Sequence, residues 1–192
     1  MKEVYFVSRN HGKIEETVKL LEPFGIIAKP FEKKIEELQT DDMSLIVKDK
    51  LYKAFEMTRR PILVEHTGLE LSELNGFPGG LTQIFWKKIT SDESDLENFT
   101  KLFGQNSQTV IARSYVGFCD GKKTFFYEGS INGTVSSEPR GSDGFQWDMI
   151  FIPEGQSLTF AEMGQDEKNK ISMRKKALES FAKDQQGRFN GK

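Results

Sequence analysis

The sequence predicts an α/β fold, a mixed and twisted central sheet flanked by helices. Three observations carry that expectation: strand and helix patterns alternate along the chain, two short apolar runs read as buried strands, and Asp120-Gly121 joins two extended stretches as a hairpin. Val4–Val7 is the first strand, and Ile14, Val18 and Leu21 at helical spacing then mark an amphipathic helix that Pro23 closes. A second strand is expected near Ile26–Phe31. Met43, Val47, Leu51 and Ala54 trace the next helix, with Asp41 or Asp42 as its cap. Pro61–Val64 is the following strand, delivering Glu65 and His66 at its end before a Thr67-Gly68 turn. Thr109–Cys119 and Thr124–Tyr127 flank the hairpin turn, Met149–Ile152 is one more strand, and Ser172 to about Lys183 is the final helix.

At 192 residues, with 36% hydrophobic content and 16 phenylalanines, the chain can bury one sizeable core, and a single domain over 1–192 is expected. A net charge of −2, without basic tail or acidic block, gives no global footprint for duplex nucleic acid or an anionic membrane. Any anion must therefore be met by a local cluster. One cysteine, Cys119, cannot form an internal disulfide, and the apolar start is too short for a signal segment, so a reducing, cytoplasmic setting is expected. No run approaches the roughly 18 apolar residues of a membrane span.

Three segments carry chemistry. SRNHGK, residues 8–13, lies between strand and helix, where backbone N–H groups, the helix dipole and Lys13 suit a phosphate; an Asn-capped helix start with a surface lysine is the other reading. The second is Glu65-His66-Thr67-Gly68-Leu69, followed by Gly76-Phe77-Pro78-Gly79-Gly80. Polar residues at the carboxyl end of a buried strand occupy the usual crevice position of open α/β sheets, although a lone histidine also fits a simple hydrogen-bonded role. The third is GSDGFQWDMIF with FAEMGQDEKNKISMR. Phe145, Trp147 and Asp148 have the composition of a pocket that stacks a base and reads its edge, and core packing accounts equally for the aromatics. Arg174, in the first turn of the last helix beside its apolar positions, must find a partner or ligand. Lys168 precedes it in what reads as a polar loop.

Taken together and in order, SRNHGKIEE, EELQ, VEHTGL with GFPGG, GSDGFQWDMIFIPEG and FAEM with DEKNKISMR resemble the inosine triphosphate pyrophosphatase (Ham1-like) family across nearly the whole chain. The resemblance implies a homodimer whose protomer has a long mixed sheet and two lobes flanking an active-site cleft. It implies hydrolysis of non-standard purine triphosphates (ITP, dITP, XTP) to the monophosphate and pyrophosphate with Mg²⁺. Carried over motif by motif, Ser8, Asn10 and Lys13 hold the triphosphate, and Glu37 holds metal. Lys50 and Lys168 neutralise phosphate charge, and Thr67 and Gly68 line the substrate site. Phe145 stacks on the base, with Trp147, Asp148, Ser172, Met173 and Arg174 around it. Lys50 fits independently, since it borders the apolar face of its helix and can extend its stem along that surface.

The chain departs from that pattern at its chemical positions. His66 stands where the family has a carboxylate for metal and water, so a hard Mg²⁺ site is weakened and Mn²⁺ becomes possible. A neutral imidazole, with an ordinary pKa of about 6.5, can still accept a proton from water. Glu65 cannot readily replace the missing oxygen, because consecutive strand residues point to opposite faces. Met173 replaces a histidine donor toward the purine 6-oxo group, a loss worth up to about 10⁴-fold in discrimination, while its helical spacing to Ala177 and Phe181 also suits packing. Gln146 replaces glycine, Met149 proline, and Leu81 and Ile84 a tyrosine and an arginine. The leading expectation is thus a pyrophosphatase with altered metal or base preference. A weak or inactive nucleotide-binding paralogue and, third, a nucleic-acid module using Phe145 and Trp147 are the alternatives.

Overall fold

A computed structural model describes residues 2–104, 108–142, 144 and 146–190. They form two compact units, Met1–His66 with Ser114–Gly129 and Met173–Lys192, and Thr67–Arg113 with Ser130–Ser172. The strands are β1 (Lys2–Val7), β2 (Ile26–Phe31), β3 (Ile62–Leu71), β4 (Pro78–Gly79), β5 (Thr109–Cys119), β6 (Thr124–Val135) and β7 (Phe151–Pro153). The helices are α1 (His11–Leu21), α2 (Met43–Thr58), α3 (Thr82–Ile89), α4 (Glu93–Gly104), α5 (Phe160–Ile171) and α6 (Met173–Asn190). Among the described residues one mixed sheet runs β2-β1-β3-β5-β6-β7, with β4 on β3. No described helix is long and apolar enough to cross a membrane.

In the first unit β1 pairs in parallel with β2 and β3, and parallel neighbours need helical crossovers, which α1 and α2 supply. Alternation sorts the strand side chains onto two apolar faces. Leu63, Val116 and Phe118 join Val4, Phe6, α1 and α6, whereas Ile62 and Val64 join Val7 and the α2 residues Val47, Leu51 and Ala54.

Asn10 caps α1 by accepting from the Lys13 N–H at 3.1 Å. The inner stripe of α1 differs from the predicted one: Ile14, Thr17 and Leu21 are buried and Val18 is exposed. Position 18 lies one step round the helix from Thr17, and Glu16, on the other side of Thr17, is buried against an arginine described below. Pro23 falls just beyond the helix, in a single 3₁₀ turn that Gly25 closes with φ 69°. Asp42 caps α2, accepting from the Ser44 and Leu45 N–H groups, and all four predicted apolar positions of that helix are buried.

β3 corrects the sequence reading. It does not end at Glu65-His66 but runs for ten residues from Ile62 to Leu71, so Thr67-Gly68 is extended strand rather than a turn. The continuation finds a partner downstream, because Leu69 and Glu70 pair antiparallel with Gly79 and Pro78 of β4. β6 also outruns its expected end at Tyr127. Glycines interrupt its pattern for a packing reason: a Cβ on Gly129 would lie 2.1 Å from the Met173 carbonyl oxygen at the start of α6.

In the second unit α3 and α4, which the sequence reading leaves unassigned, meet through the aromatic contact Phe85–Phe99 at 5.7 Å, and Phe99 stacks on Phe103 of its own helix at 4.7 Å. The strand expected at 149–152 begins at Phe151, since Gln146–Met149 forms a 3₁₀ turn. Lys168 lies on a helix, α5, and not in a polar loop. Thr159 and Glu162 close a reciprocal capping box at its start, and the helix kinks at Gly164, φ 73°.

Candidate active site

The first unit assembles a charged cluster at β3. Glu65 shares strand parity with Leu63 and turns to the α1–α6 face; His66 shares parity with Val64 and turns to the α2 face. The Glu65 carboxylate is 3% exposed for the residue as a whole. Its Oε2 accepts from Lys13 Nζ at 2.9 Å, its Oε1 accepts from Ser114 Oγ at 3.0 Å, and Arg174 Nε lies 3.4 Å from Oε1. Arg174 also donates through its guanidinium to buried Glu16. The partner that a buried guanidinium demands is thus a pair of carboxylates, one of them on α1.

On the other face Lys50 Nζ donates to Glu37 Oε1 at 2.5 Å and to the Glu65 carbonyl at 3.3 Å. His66 Nδ1 lies 3.9 Å from Glu37 Oε2. Lys13 and Lys50 therefore converge on one residue from opposite sides of the strand, one on its carboxylate and one on its main chain. Ser8 and Asn10 complete the start of α1: Ser8 Oγ accepts from the Asn10 N–H at 3.1 Å while the Asn10 side chain caps the helix.

Burial and neighbouring charge tune these groups. His66 is held below its ordinary pKa by burial and then by the Lys13 and Lys50 ammoniums, with Glu37 and Glu65 opposing. It is neutral at pH 7. Burial also pulls Lys13 down, against the attraction of Glu65. Burial alone would raise Glu37; Lys50, by charge and hydrogen bond, overrides it and keeps the carboxyl below its usual value.

The donors restrict what cation could bind. Glu65 has both oxygens engaged and faces away from His66. Among the described residues no group of three or more His, Cys, Asp and Glu side chains forms a cage. Mg²⁺ commonly binds through one or two carboxylates plus substrate phosphates, and Glu37 with His66 beside it fits such a partial, substrate-completed site.

Of the remaining predicted residues that the structure describes, all but Met173 and Arg174 lie in the second unit. Asp148 and Lys168 are brought together, Lys168 Nζ donating to Asp148 Oδ2 at 2.6 Å, with the ammonium 5.2 Å from the Phe160 ring centroid. Both are buried, so Lys168 is not an ordinary solvated charge. Trp147 packs edge-on to Phe151 at 5.6 Å and obliquely on Phe160 at 6.3 Å, which favours the packing reading of this aromatic. Ser172 ends α5, its N–H donating to the Lys168 carbonyl. Thr67 and Gly68 are strand residues. Met173 is buried, as its packing alternative expects. Phe145 lies outside the described residues. Glu16 and Ser114 were given no role in the sequence; the need of Arg174 for an anion was a signal for Glu16, and Ser114, which bonds Glu65, had none.

The Ham1 family model matches residues 4–184. Over 182 residues the chain is 38% identical to a dITP/XTP pyrophosphatase of Methanopyrus kandleri, covering 94% of each sequence. It is 36% identical to a dITP/XTP pyrophosphatase of Thermococcus kodakarensis, over 92% of this chain and 94% of that one. A HAM1 protein from Coxiella burnetii superimposes with a TM-score of 0.83 at 25% identity, over 97% of this chain and all of that one. The Ham1 protein of Staphylococcus aureus gives 0.81 at 21% identity, again over 97% of this chain and all of that one, a likeness of fold alone.

Proposed function

The chain belongs to the Ham1 family, and from that premise we propose that it is a nucleoside triphosphate pyrophosphatase acting on non-standard purine nucleotides (dITP, ITP, XTP), releasing the monophosphate and pyrophosphate. The observation that carries the reading is the convergence of Lys13 and Lys50 on Glu65 beside the start of α1, in a chain whose relatives bear that activity in their names. The N-terminus of α1, with Ser8, Asn10 and Lys13, meets the phosphates through backbone N–H groups and one ammonium. Lys50 adds a second positive charge.

In this cluster the cations Lys13, Lys50 and Arg174 face the carboxylates Glu16, Glu37 and Glu65, and neutral His66 adds no charge. A strongly anionic triphosphate therefore has to arrive with its own counter-charge. Glu37 and His66 would hold a divalent ion, Mg²⁺ or, favoured by the imidazole, Mn²⁺; when bound, it offsets charge developing on the phosphoryl oxygens. A neutral imidazole has one nitrogen lone pair, so buried His66 accepts a proton from the attacking water only where that nitrogen is not committed to the ion. Glu37 orients that water through its second oxygen.

Further substrate contacts are assigned to Thr67, Gly68, Phe145, Asp148, Lys168, Ser172 and Arg174, whereas Trp147 and Met173 are buried in packing and are assigned none. With Met173 in place of a donor, discrimination of the purine 6-oxo group is weakened. The reading includes residues 1–192 working as one catalytic domain, in a cytoplasmic homodimer.

The test is pyrophosphate release from ITP, dITP, XTP, dGTP and ATP, each with Mg²⁺ and with Mn²⁺. Release from the non-standard purines, with a higher Mn²⁺-to-Mg²⁺ ratio than a carboxylate at position 66 supports, is the expected result. No release from any triphosphate with either ion overturns the reading.

A further inference from the structure

Glu65 belongs to none of the roles assigned above, yet its buried carboxylate is engaged from three separate elements: α1 through Lys13, β5 through Ser114 and α6 through Arg174. Fold stability gives little reason for this charge. On the same strand face Leu63 is fully buried among apolar neighbours, and a buried ion pair is generally no more stabilising than apolar residues of similar volume. Nor is it placed as a metal ligand, because its oxygens are taken and it faces away from Glu37 and His66.

We propose that Glu65, pinned by Ser114, is a positioning residue for Lys13. An ammonium has three protons to donate. Glu65 takes one of them at 2.9 Å, which fixes where the ammonium lies beside the start of α1 and the directions of the other two protons. Ser114, wholly buried on the strand next to β3, holds Oε1 and so stops the carboxylate from rotating with the flexible lysine stem. The inference rests on the phosphate-binding reading of Lys13 given above. It also separates two effects of Glu65. As a mere counter-charge, Glu65 would repel the triphosphate, and its removal would tighten binding; as a guide for Lys13, its removal costs turnover.

The experiment compares wild type with Ser114→Ala, Ser114→Thr and Glu65→Gln. Steady-state pyrophosphate release gives kcat and KM, calorimetry with inorganic tripolyphosphate and Mg²⁺ gives affinity, and melting temperature checks the fold. Ser114→Ala is expected to lower kcat/KM and tripolyphosphate affinity about tenfold, as for a lost charge-assisted hydrogen bond. Ser114→Thr keeps the hydroxyl and should stay within about threefold of wild type. Glu65→Gln should lower kcat while leaving the fold intact. Ser114→Ala within twofold of wild type in both readouts, or Glu65→Gln with raised kcat/KM, overturns the proposal. If wild type releases no pyrophosphate, the functional reading fails separately; tripolyphosphate binding weakened by Ser114→Ala then still supports the positioning role, and unchanged or absent binding overturns it too.

Discussion

Glu65 and His66 are consecutive residues of β3 with opposite allegiances: the Glu65 carboxylate receives Lys13 at 2.9 Å on one face, and His66 Nδ1 lies 3.9 Å from Glu37 on the other. The two sides of one strand thus divide the charged cluster into a half around Lys13 and Glu65 and a half around Lys50, Glu37 and His66. This division explains why Glu65 does not make good the carboxylate that His66 lacks.

Replacing His66 by aspartate puts a hard oxygen donor beside Glu37. Turnover with Mg²⁺ should rise at least about tenfold and the preference for Mn²⁺ should fall, because Mg²⁺ selects oxygen over nitrogen ligands. Metal titrations of pyrophosphate release on both proteins check this. Equal Mg²⁺ dependence would mean that position 66 does not touch the ion.

His66 makes folding sensitive to mild acid. Its folded pKa lies below the ordinary value of 6.5, so between the two values the unfolded chain binds the proton and the native protein does not. Stability is accordingly retained above about pH 6.5 and declines as pH falls below it. Melting temperatures from pH 8 to pH 5 should show the decline, and His66→Gln should flatten it over that window. Carboxylates such as Glu37, whose folded pKa is also depressed, add their loss at lower pH.

Gln146 adopts φ 54°, a left-handed conformation that favours glycine. Relief of that backbone strain in Gln146→Gly is worth about 1–2 kcal/mol, against about 0.4–1 kcal/mol for the added freedom of the unfolded glycine. Strain relief wins. Chemical denaturation should show a gain of about 1 kcal/mol, a rise of about 2–4 °C in melting temperature. An unchanged or lower midpoint would mean that the glutamine side chain makes compensating contacts.

The buried pair Lys168–Asp148 sets a larger penalty. Lys168→Met leaves a buried carboxylate without its ammonium and should cost about 3–5 kcal/mol. Adding Asp148→Asn should recover much of that loss, since the second change removes the stranded charge. A double-mutant cycle by urea unfolding measures the difference. Additive losses would show that the two groups do not depend on each other.

Local features were legible where side chains act on their own backbone or in a simple period. Asp42 capping α2, the four buried positions of that helix and the Asp120-Gly121 turn follow from short-range chemistry. The reading failed where distant segments decide. Thr67-Gly68 looks like a turn until β4 returns to pair with Leu69 and Glu70. Lys168 reads as a solvated charge in a polar loop until Asp148 neutralises it and its ammonium comes to lie over Phe160. Within the site, Ser8, Asn10, Lys13, Glu37, Lys50, His66 and Arg174 were nameable by motif; Glu16 closes the SRNHGKIEE stretch without a role attached to it, and Ser114 lies in no motif.

By itself, the sequence determined the family, the alternation of strands and helices, and the residues at which the chain departs from the family pattern, because these depend on residue type and order. Only the tertiary structure decided which charges meet. A carboxylate on β3, a lysine on α1, a serine on β5 and an arginine on α6 are separated by up to 161 positions from Lys13 to Arg174, and burial in a common low-dielectric interior obliges each to pair with whatever opposite charge or hydrogen-bonding group the fold brings within reach.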